Sequence, residues 1–324
     1  MGPPGGGRNP TDIRFSSKFS VFNLPFPTMS SLRRIYESIL LHHFEPFDQS
    51  IQKSVIKIVE ASLYLYSHVT SSLPATPNKF HYIFNLCDLS RVTEGITLPV
   101  TNKFKCIGSI VRLWSHEVLR VFQDRLVDSK DRNLVKNKMR KLATEYWPQE
   151  AENAYSEPLL FGSYKKANLS VGDLLPGEVK DVIADDQAKE DSKEYEDLEN
   201  YDTIKPIVEE CLESYNETRL RMNLIMFADA LGHLARIHRI IRMCRGNALL
   251  IGYGGSGKQS LTKLATFIAG YALHQITLSR GYGDEAFRQD LKKLYNLLGT
   301  MNKEVVFLFT DQHVVDASFL EYIN

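Results

Sequence analysis

Several things are scarce in this 324-residue chain, and each shortage excludes something. Four cysteines, Cys87, Cys106, Cys211 and Cys244, lie far apart and form no CxxC pair. That spacing argues against a disulfide framework or a thiolate zinc site and fits reduced thiols inside a cell. Net charge is lacking too, since Lys plus Arg and Asp plus Glu both total 39. Nothing in the charge balance therefore calls for nucleic acid or an anionic membrane. No apolar run reaches the roughly 18 residues of a membrane span, and "MGPPGGGRNPTD" has no signal-peptide core. His42, His43, His233 and His238 make no metal constellation with nearby cysteines or carboxylates. The remainder, 43% hydrophobic and 24% charged, predicts a cytosolic globular protein of about two domains. The chain starts on a Gly/Pro loop and stops at "FLEYIN", soon after a buried-looking strand. That is an unusual place for a fold to end, so a fragment or truncated product is expected.

Periodicity divides the chain. "FSVFNLPF" (19–26) reads as a short strand closed by Pro25 and Pro27. "SSLRRIYESILLH" places Leu32, Ile35, Ile39 and Leu40 at helical spacing behind a serine cap. "IQKSVIKIVEASLYLYSHV" is a second helix and "IGSIVRLWSHEVLRVFQDRLV" a long amphipathic one, so the first half is a small helical bundle. Residues 176–202, with "ADDQAKEDSKEYEDLENYD", are acid-rich and read as a linker or solvated surface excursion. Helical periodicity then returns, with Ile204, Ile207, Val208, Cys211, Leu212 and Tyr215 on one face. A second helix follows with Phe227, Leu231, Leu234, Ile237 and Ile241. The basic face of "LARIHRIIRMCRG" reads as solvated or as an inter-domain surface. From "NALLIG" onward, strand, helix, strand, helix and strand alternate through "LHQITLS" and "EVVFLFTD", which predicts a parallel α/β sheet with crossover helices.

The stretch "LLIGYGGSGKQSLTKL" carries the chemistry. Gly252-x-x-x-x-Gly257-Lys258 follows a predicted strand and opens a predicted helix, the context of a phosphate-binding loop. Such a loop wraps successive N–H groups around anionic oxygens where the helix dipole adds positive potential. Gly252, Tyr253, Gly254, Gly255, Ser256, Gly257, Lys258, Gln259 and Ser260 are the candidate nucleotide contacts, against the alternative of a merely structural glycine turn. Asp311, ending the third predicted strand, is the candidate to order Mg2+ through water. Two departures favour binding over turnover. Gln259 stands where a hydroxyl ligand to magnesium is usual, with Ser260 one position late. Gln312 follows Asp311 and has no useful basicity near neutral pH.

Taken together, "RGNALLIGYGGSGKQSLTKLA", "LSRGYGDEAFRQDLKKLY" and "VVFLFTD" resemble the fourth AAA+ module of axonemal dynein heavy chains. "MGPPGGGRNP", "KFHYIFNLCDLSRVTEGI" and "RLWSHEVLRVFQDRLVD" resemble the end of the third module, and "MNLIMFADALGHLARIHRII" the lead into the fourth loop. The wording "GGSGKQSL" is similar to axonemal rather than cytoplasmic members. The resemblance implies an α/β fold with an α-helical part, incomplete at both ends. Residues 1–28 would end the third large subdomain, and 29–175 would form its helical lid. Residues 176–202 would be the acidic linker, and 203–324 would begin the fourth module. It further implies ATP or ADP with Mg2+, and a regulatory rather than driving role in ciliary or flagellar movement. The implied partners are the rest of the heavy-chain ring, intermediate and light chains and microtubules, with no nucleic acid or membrane. The implied location is the cytoplasm and the axonemal cytoskeleton of a cilium or flagellum. Arg14 stands where the family places an inter-module arginine, although Ser17 replaces a frequent second one. Cys87 replaces a sensor arginine; Arg91 remains, as a sensor or as the partner of a nearby carboxylate. Ile207 and Val208 are either an adenine-contacting wall or plain core. The alternative to the motor reading is a non-catalytic structural or interaction protein with a vestigial loop.

Overall fold

The computed structural model describes residues 12–22, 24–164, 195–198 and 200–323. Its first element, α1 (Ile13–Ser16), is short and buries nothing. The strand expected over 19–26 is not formed: Val21, Phe22 and Leu24 are exposed and pair with no neighbour among the described residues. A strand exists only through its ladder, and the two prolines here leave fewer N–H groups to build one.

Helices then take over. α2 (Met29–His43) starts where the Thr28 hydroxyl accepts from the Ser31 N–H, and it buries Leu32, Tyr36 and Leu40, a spacing of four. α3 (Gln49–Ser72) follows. α4 (Leu86–Ile96) opens on a reciprocal cap between Asn85 and Asp88. α5 (Ile107–Val118) is buried nearly all round and continues as a π-helical turn, Leu119–Gln123. α6 (Ser129–Tyr146) and the short α7 (Ala151–Ala154) complete the bundle. Trp114 is fully buried at its centre and donates from Nε1 to the Ser62 hydroxyl at 2.9 Å. The indole thus contributes its apolar area without stranding its one donor.

The end of the acid-rich stretch is not solvated. β1 (Phe161–Gly162) pairs antiparallel with β2 (Glu196–Asp197), and Tyr195, Glu196 and Leu198 are all buried. Asp197 accepts from Arg112 Nε at 2.6 Å. The same buried guanidinium donates to the carbonyls of Asn153, Ser156 and Pro158, so one arginine ties the acidic strand to the helical bundle. The acidic residues 176–194 lie outside the described residues.

A second core joins α8 (Tyr201–Thr218), α9 (Ala228–Arg242) and α10 (Lys258–Ile268). Leu231, Leu234 and Ile237 of α9 meet Leu261, Leu264 and Ile268 of α10 there, whereas Phe227 is left exposed at the N-cap of α9. β3 (Ala272–Gln275) pairs in parallel with β4 (Val305–Leu308) across the helix α11 (Asp284–Gly299). Phe287 of α11 stacks on Phe319 of the last helix, α12 (Ser318–Ile323), with ring centroids 4.3 Å apart. The first predicted strand of this half, 248–252, has no ladder partner among the described residues, and Leu249 and Ile251 are 86% and 87% exposed. Here too the apolar sequence is present while the neighbour that would make it a strand is not among the described residues. No helix among them is long and apolar enough to cross a membrane.

Candidate nucleotide-binding site

The loop between Gly252 and Lys258 is built as its sequence requires. Gly255 and Gly257 take φ of +80° and +75°, the left-handed region that side-chain-bearing residues rarely enter. An added Cβ at Gly254, Gly255 or Gly257 would meet nothing within 4 Å, so the hollow of the loop is open. Gly257 is also the N-cap of α10, whose first residue is Lys258. Among the described residues nothing accepts from the N–H groups of Gly254, Gly255 and Gly257. Three free donors beside a helix start make a seat for anionic oxygens.

The Lys258 ammonium reaches back into this loop, donating to the Gly252 carbonyl at 2.5 Å and the Tyr253 carbonyl at 2.8 Å, with Ser256 Oγ at 3.4 Å. Its charge is therefore held over the loop itself. Gln259 points to the exposed surface side of α10, and Ser260 is half-buried one turn-step further. A cleft of about 760 Å³ opens beside the loop. Gly252, Tyr253, Ser256 and Lys258 line it on one side, and Arg91, Arg125 and Arg132 of the helical bundle on the other. The cleft offers a lysine and a positively charged wall to the phosphates of a nucleotide, while Gly254, Gly255 and Gly257, whose N–H groups are free, do not line it and face the open hollow of the loop beside it.

The donors a magnesium ion would need are not gathered in the same way. Asp311 follows β4 in a short 3₁₀ turn (Asp311–His313), is exposed, and does not line the cleft. Its turn is fixed by the His313 ring, whose Nδ1 accepts from the Thr310 N–H at 3.0 Å. Gln312 is exposed beside it. The structure thus brings Arg91 and Lys258 to one cleft but leaves Asp311 outside it. Arg14 sits on the exposed helix α1 and does not line the cleft. Arg91 Nη1 lies 3.2 Å from Asp88, which also holds Arg125 at 2.5 Å. Cys87 is exposed and all four thiols are free. Val208 is fully buried in the second core with Ile207 packed against it, a core position rather than a wall of the cleft. No group of three metal-ligating side chains assembles among the described residues.

The sequence motifs gave no sign of the residues that set this cleft in place. Glu117 of α5 is fully buried and grips Arg239 of α9, whose Nε lies 3.2 and 3.1 Å from the two carboxylate oxygens. Tyr195 donates to the same carboxylate at 2.9 Å, and His116 Nδ1 lies 3.1 Å from it. The arginine and these hydrogen bonds outweigh burial and hold the Glu117 carboxyl well below the usual carboxylate range. Burial pushes the neighbouring His116 down to about 4, and His238 on α9 down to about 3. Gly95 of α4 exists for this cluster, because a Cβ there would fall on the Glu117 carboxylate. The basic face of α9 is accordingly an inter-domain surface: Arg236 also reaches back to Asp124, at 3.7 Å. One signal was available, an arginine every third residue on an otherwise apolar helix, but its partner lies 122 positions away.

Two stretches of the chain match known families. Residues 222–324 match the family described as P-loop containing dynein motor region D4, and residues 58–150 match the AAA+ lid domain. Human dynein axonemal heavy chain 10 is 47% identical over 324 residues, which is 100% of this chain and 7% of that protein. The dynein-1-alpha heavy chain of the flagellar inner arm I1 complex from Chlamydomonas reinhardtii is 46% identical over 328 residues, again 100% of this chain and 7% of the relative. Human dynein axonemal heavy chain 6 is 38% identical over 325 residues, 99% of this chain and 7% of its own length. The chain therefore spans about 7% of the length of these curated relatives. A P-loop of this family implies nucleotide binding.

Proposed function

We propose, from the premise that this chain belongs to the axonemal dynein heavy chain family, that it supplies a regulatory nucleotide-binding AAA+ module to a microtubule-based motor. Residues 1–28 would close the large subdomain of the third module, 29–175 form its lid and 203–324 open the fourth. The motor would work in the axoneme of a cilium or flagellum. Its other partners would be the rest of the heavy-chain ring, the intermediate and light chains and the microtubule.

One observation carries the binding assignment. Gly254 and the left-handed Gly255 and Gly257 present three unpaired N–H groups at the start of α10, with Lys258 beside them. ATP or ADP would lie with its phosphates against residues 252–260, and Lys258 would leave its carbonyl partners for the stronger attraction of a phosphate. Asp311, the candidate to order Mg2+ through water, does not line the cleft, so no residue of the site is assigned to the metal. Arg14 and Arg91 would serve as inter-module or sensor groups. Gln259 and Gln312 favour holding nucleotide over cleaving it, since neither supplies a hydroxyl ligand or a base.

The position of Asp311 outside the cleft supports a second reading, a structural or interaction protein whose loop is vestigial. Calorimetric titration with Mg-ATP separates the two. The first predicts micromolar affinity, about −8 kcal/mol, abolished by Lys258→Ala. Absence of any binding would select the second. Several turnovers per minute by the purified chain would overturn the role given to Gln312.

A further inference from the structure

Where the helical bundle meets α9, a smaller cavity of about 250 Å³ is lined by Arg120, Lys136, Tyr155, Glu157, Tyr201 and Arg236. No residue of the phosphate loop reaches it, although Arg120 and Arg236 also line the larger cleft beside the loop. Arg120 is only 9% exposed at its side chain and meets one carboxylate, with Nη1 at 3.3 Å from Asp124. Its Nε is buried and has no hydrogen-bond partner among the described residues, and the same is true of Arg236 Nε. Asp124 is the acid for both, since it also receives Arg236 at 3.7 Å. Lys136 contacts Glu157. Three cations thus share two carboxylates, which leaves one positive charge in excess and the buried Arg120 Nε without a partner, while Arg236 Nε faces Asp124 only at ion-pair distance.

Two further features point the same way. Arg120 belongs to the π-helical turn Leu119–Gln123, closed by the Asp124 N–H on the Leu119 carbonyl at 3.2 Å. Such insertions are costly and are kept mostly where a side chain must be re-aimed for function. Beside the cavity a third arginine, Arg140, lies over the Tyr155 ring with its own Nε buried and unpartnered. Burial also weakens the hold of Arg120 on its proton, a penalty that an added negative charge would relieve.

We propose that this cavity binds a small tetrahedral oxyanion, of the class of inorganic phosphate, between Arg120, Arg236 and Lys136. The volume equals about eight waters at roughly 30 Å³ each, room for the ion with several waters around it. A nucleotide needs a larger space, so the ligand is the free oxyanion. Lys136 and Arg120 belong to the bundle and Arg236 to α9, which packs on the phosphate-loop helix α10. The bound ion would therefore clamp the helical bundle onto the phosphate-loop unit through residues that do not belong to the loop.

Thermal unfolding of the full chain in sodium phosphate, against sodium chloride at equal ionic strength and pH, tests this. Phosphate at tens of millimolar is expected to raise Tm by roughly 3–6 °C over chloride. The shift should persist in Lys258→Ala, which silences the loop, and disappear in Lys136→Met and Arg120→Met. Circular dichroism checks that Arg120→Met is folded. Lys136→Met, at a partly exposed position, carries the test if Arg120→Met is not folded. Equal Tm in the two salts overturns the proposal, as does a phosphate shift retained in Lys136→Met. A shift lost in Lys258→Ala alone would also overturn it and move the ion to the loop, leaving the nucleotide reading intact.

Discussion

The helical bundle and the sheet-bearing half spend similar apolar sequence to different ends. In the bundle Phe44, Ile58, Trp114 and Phe122 are wholly buried. In the sheet half every residue of β3 and β4 is only half-buried, and 248–252 stands open. The difference lies in the backbone. A helix closes its own hydrogen bonds and needs a partner only for one face, whereas a strand needs a neighbour for every N–H and C=O. Among the described residues β3 and β4 offer each other one edge and offer 248–252 none.

Substitutions can sharpen or break that contrast. The largest effect is expected from Trp114→Ala, which removes the centre of the bundle and its hydrogen bond to Ser62, whose hydroxyl keeps its bond to the Ile58 carbonyl. Urea unfolding should show a loss of about 3–5 kcal/mol. Ile251→Ala is the matched control in the sheet half. At 87% exposure it should change stability by less than about 0.5 kcal/mol, and a loss near that of Trp114→Ala would mean that 248–252 is packed after all.

The seam between the halves comes next. Arg239→Met leaves the Glu117 charge buried and unpaired, for a cost of about 3 kcal/mol. The double variant Glu117→Gln, Arg239→Met should recover most of it, and a cycle with no recovery would show that the pair does not hold the seam.

A gentler probe is pH. His116 and His238 are held neutral in the folded chain, at about 4 and about 3, and titrate near 6.5 when unfolded. The unfolded chain therefore binds more protons in this window, so stability falls as pH drops from about 6.5 towards 4. Each histidine contributes a slope of up to about 1.4 kcal/mol per pH unit. Replacing both with glutamine should flatten the curve of stability against pH above the carboxylate range, while the depressed Glu117 adds loss only in stronger acid. An unchanged slope would contradict their burial.

How much of this was legible beforehand varies with the kind of interaction. The spacing of Ile204, Val208 and Cys211 reports burial because a helix repeats locally, but in α2 it does so only for Leu32 and Leu40: Ile35 and Ile39 are 49% and 46% exposed, and Tyr36 takes the buried position instead. The glycine loop was legible because left-handed backbone and a helix start are local demands on residue type. The failures at 19–26 and 248–252 share a cause: β-rich sequence states a willingness to pair and not the presence of a partner. The acid-rich stretch misled in its last residues because Asp197 and Tyr195 find Arg112 and Glu117, which no local pattern announces.

The sequence by itself therefore determined α2, α3, α5 and α8 to α11, the glycine loop, the parallel pair and the family, all carried by short-range periodicity and motif, while α6 went unread. Tertiary structure alone decided which charges became buried partners. Glu117 meets Arg239, Gly95 clears the space for that carboxylate, and Arg120 is turned by its π-helical step towards the junction. Those choices depend on burial and on distances across the fold, since a charge can leave water only where another group of opposite sign has been placed to receive it.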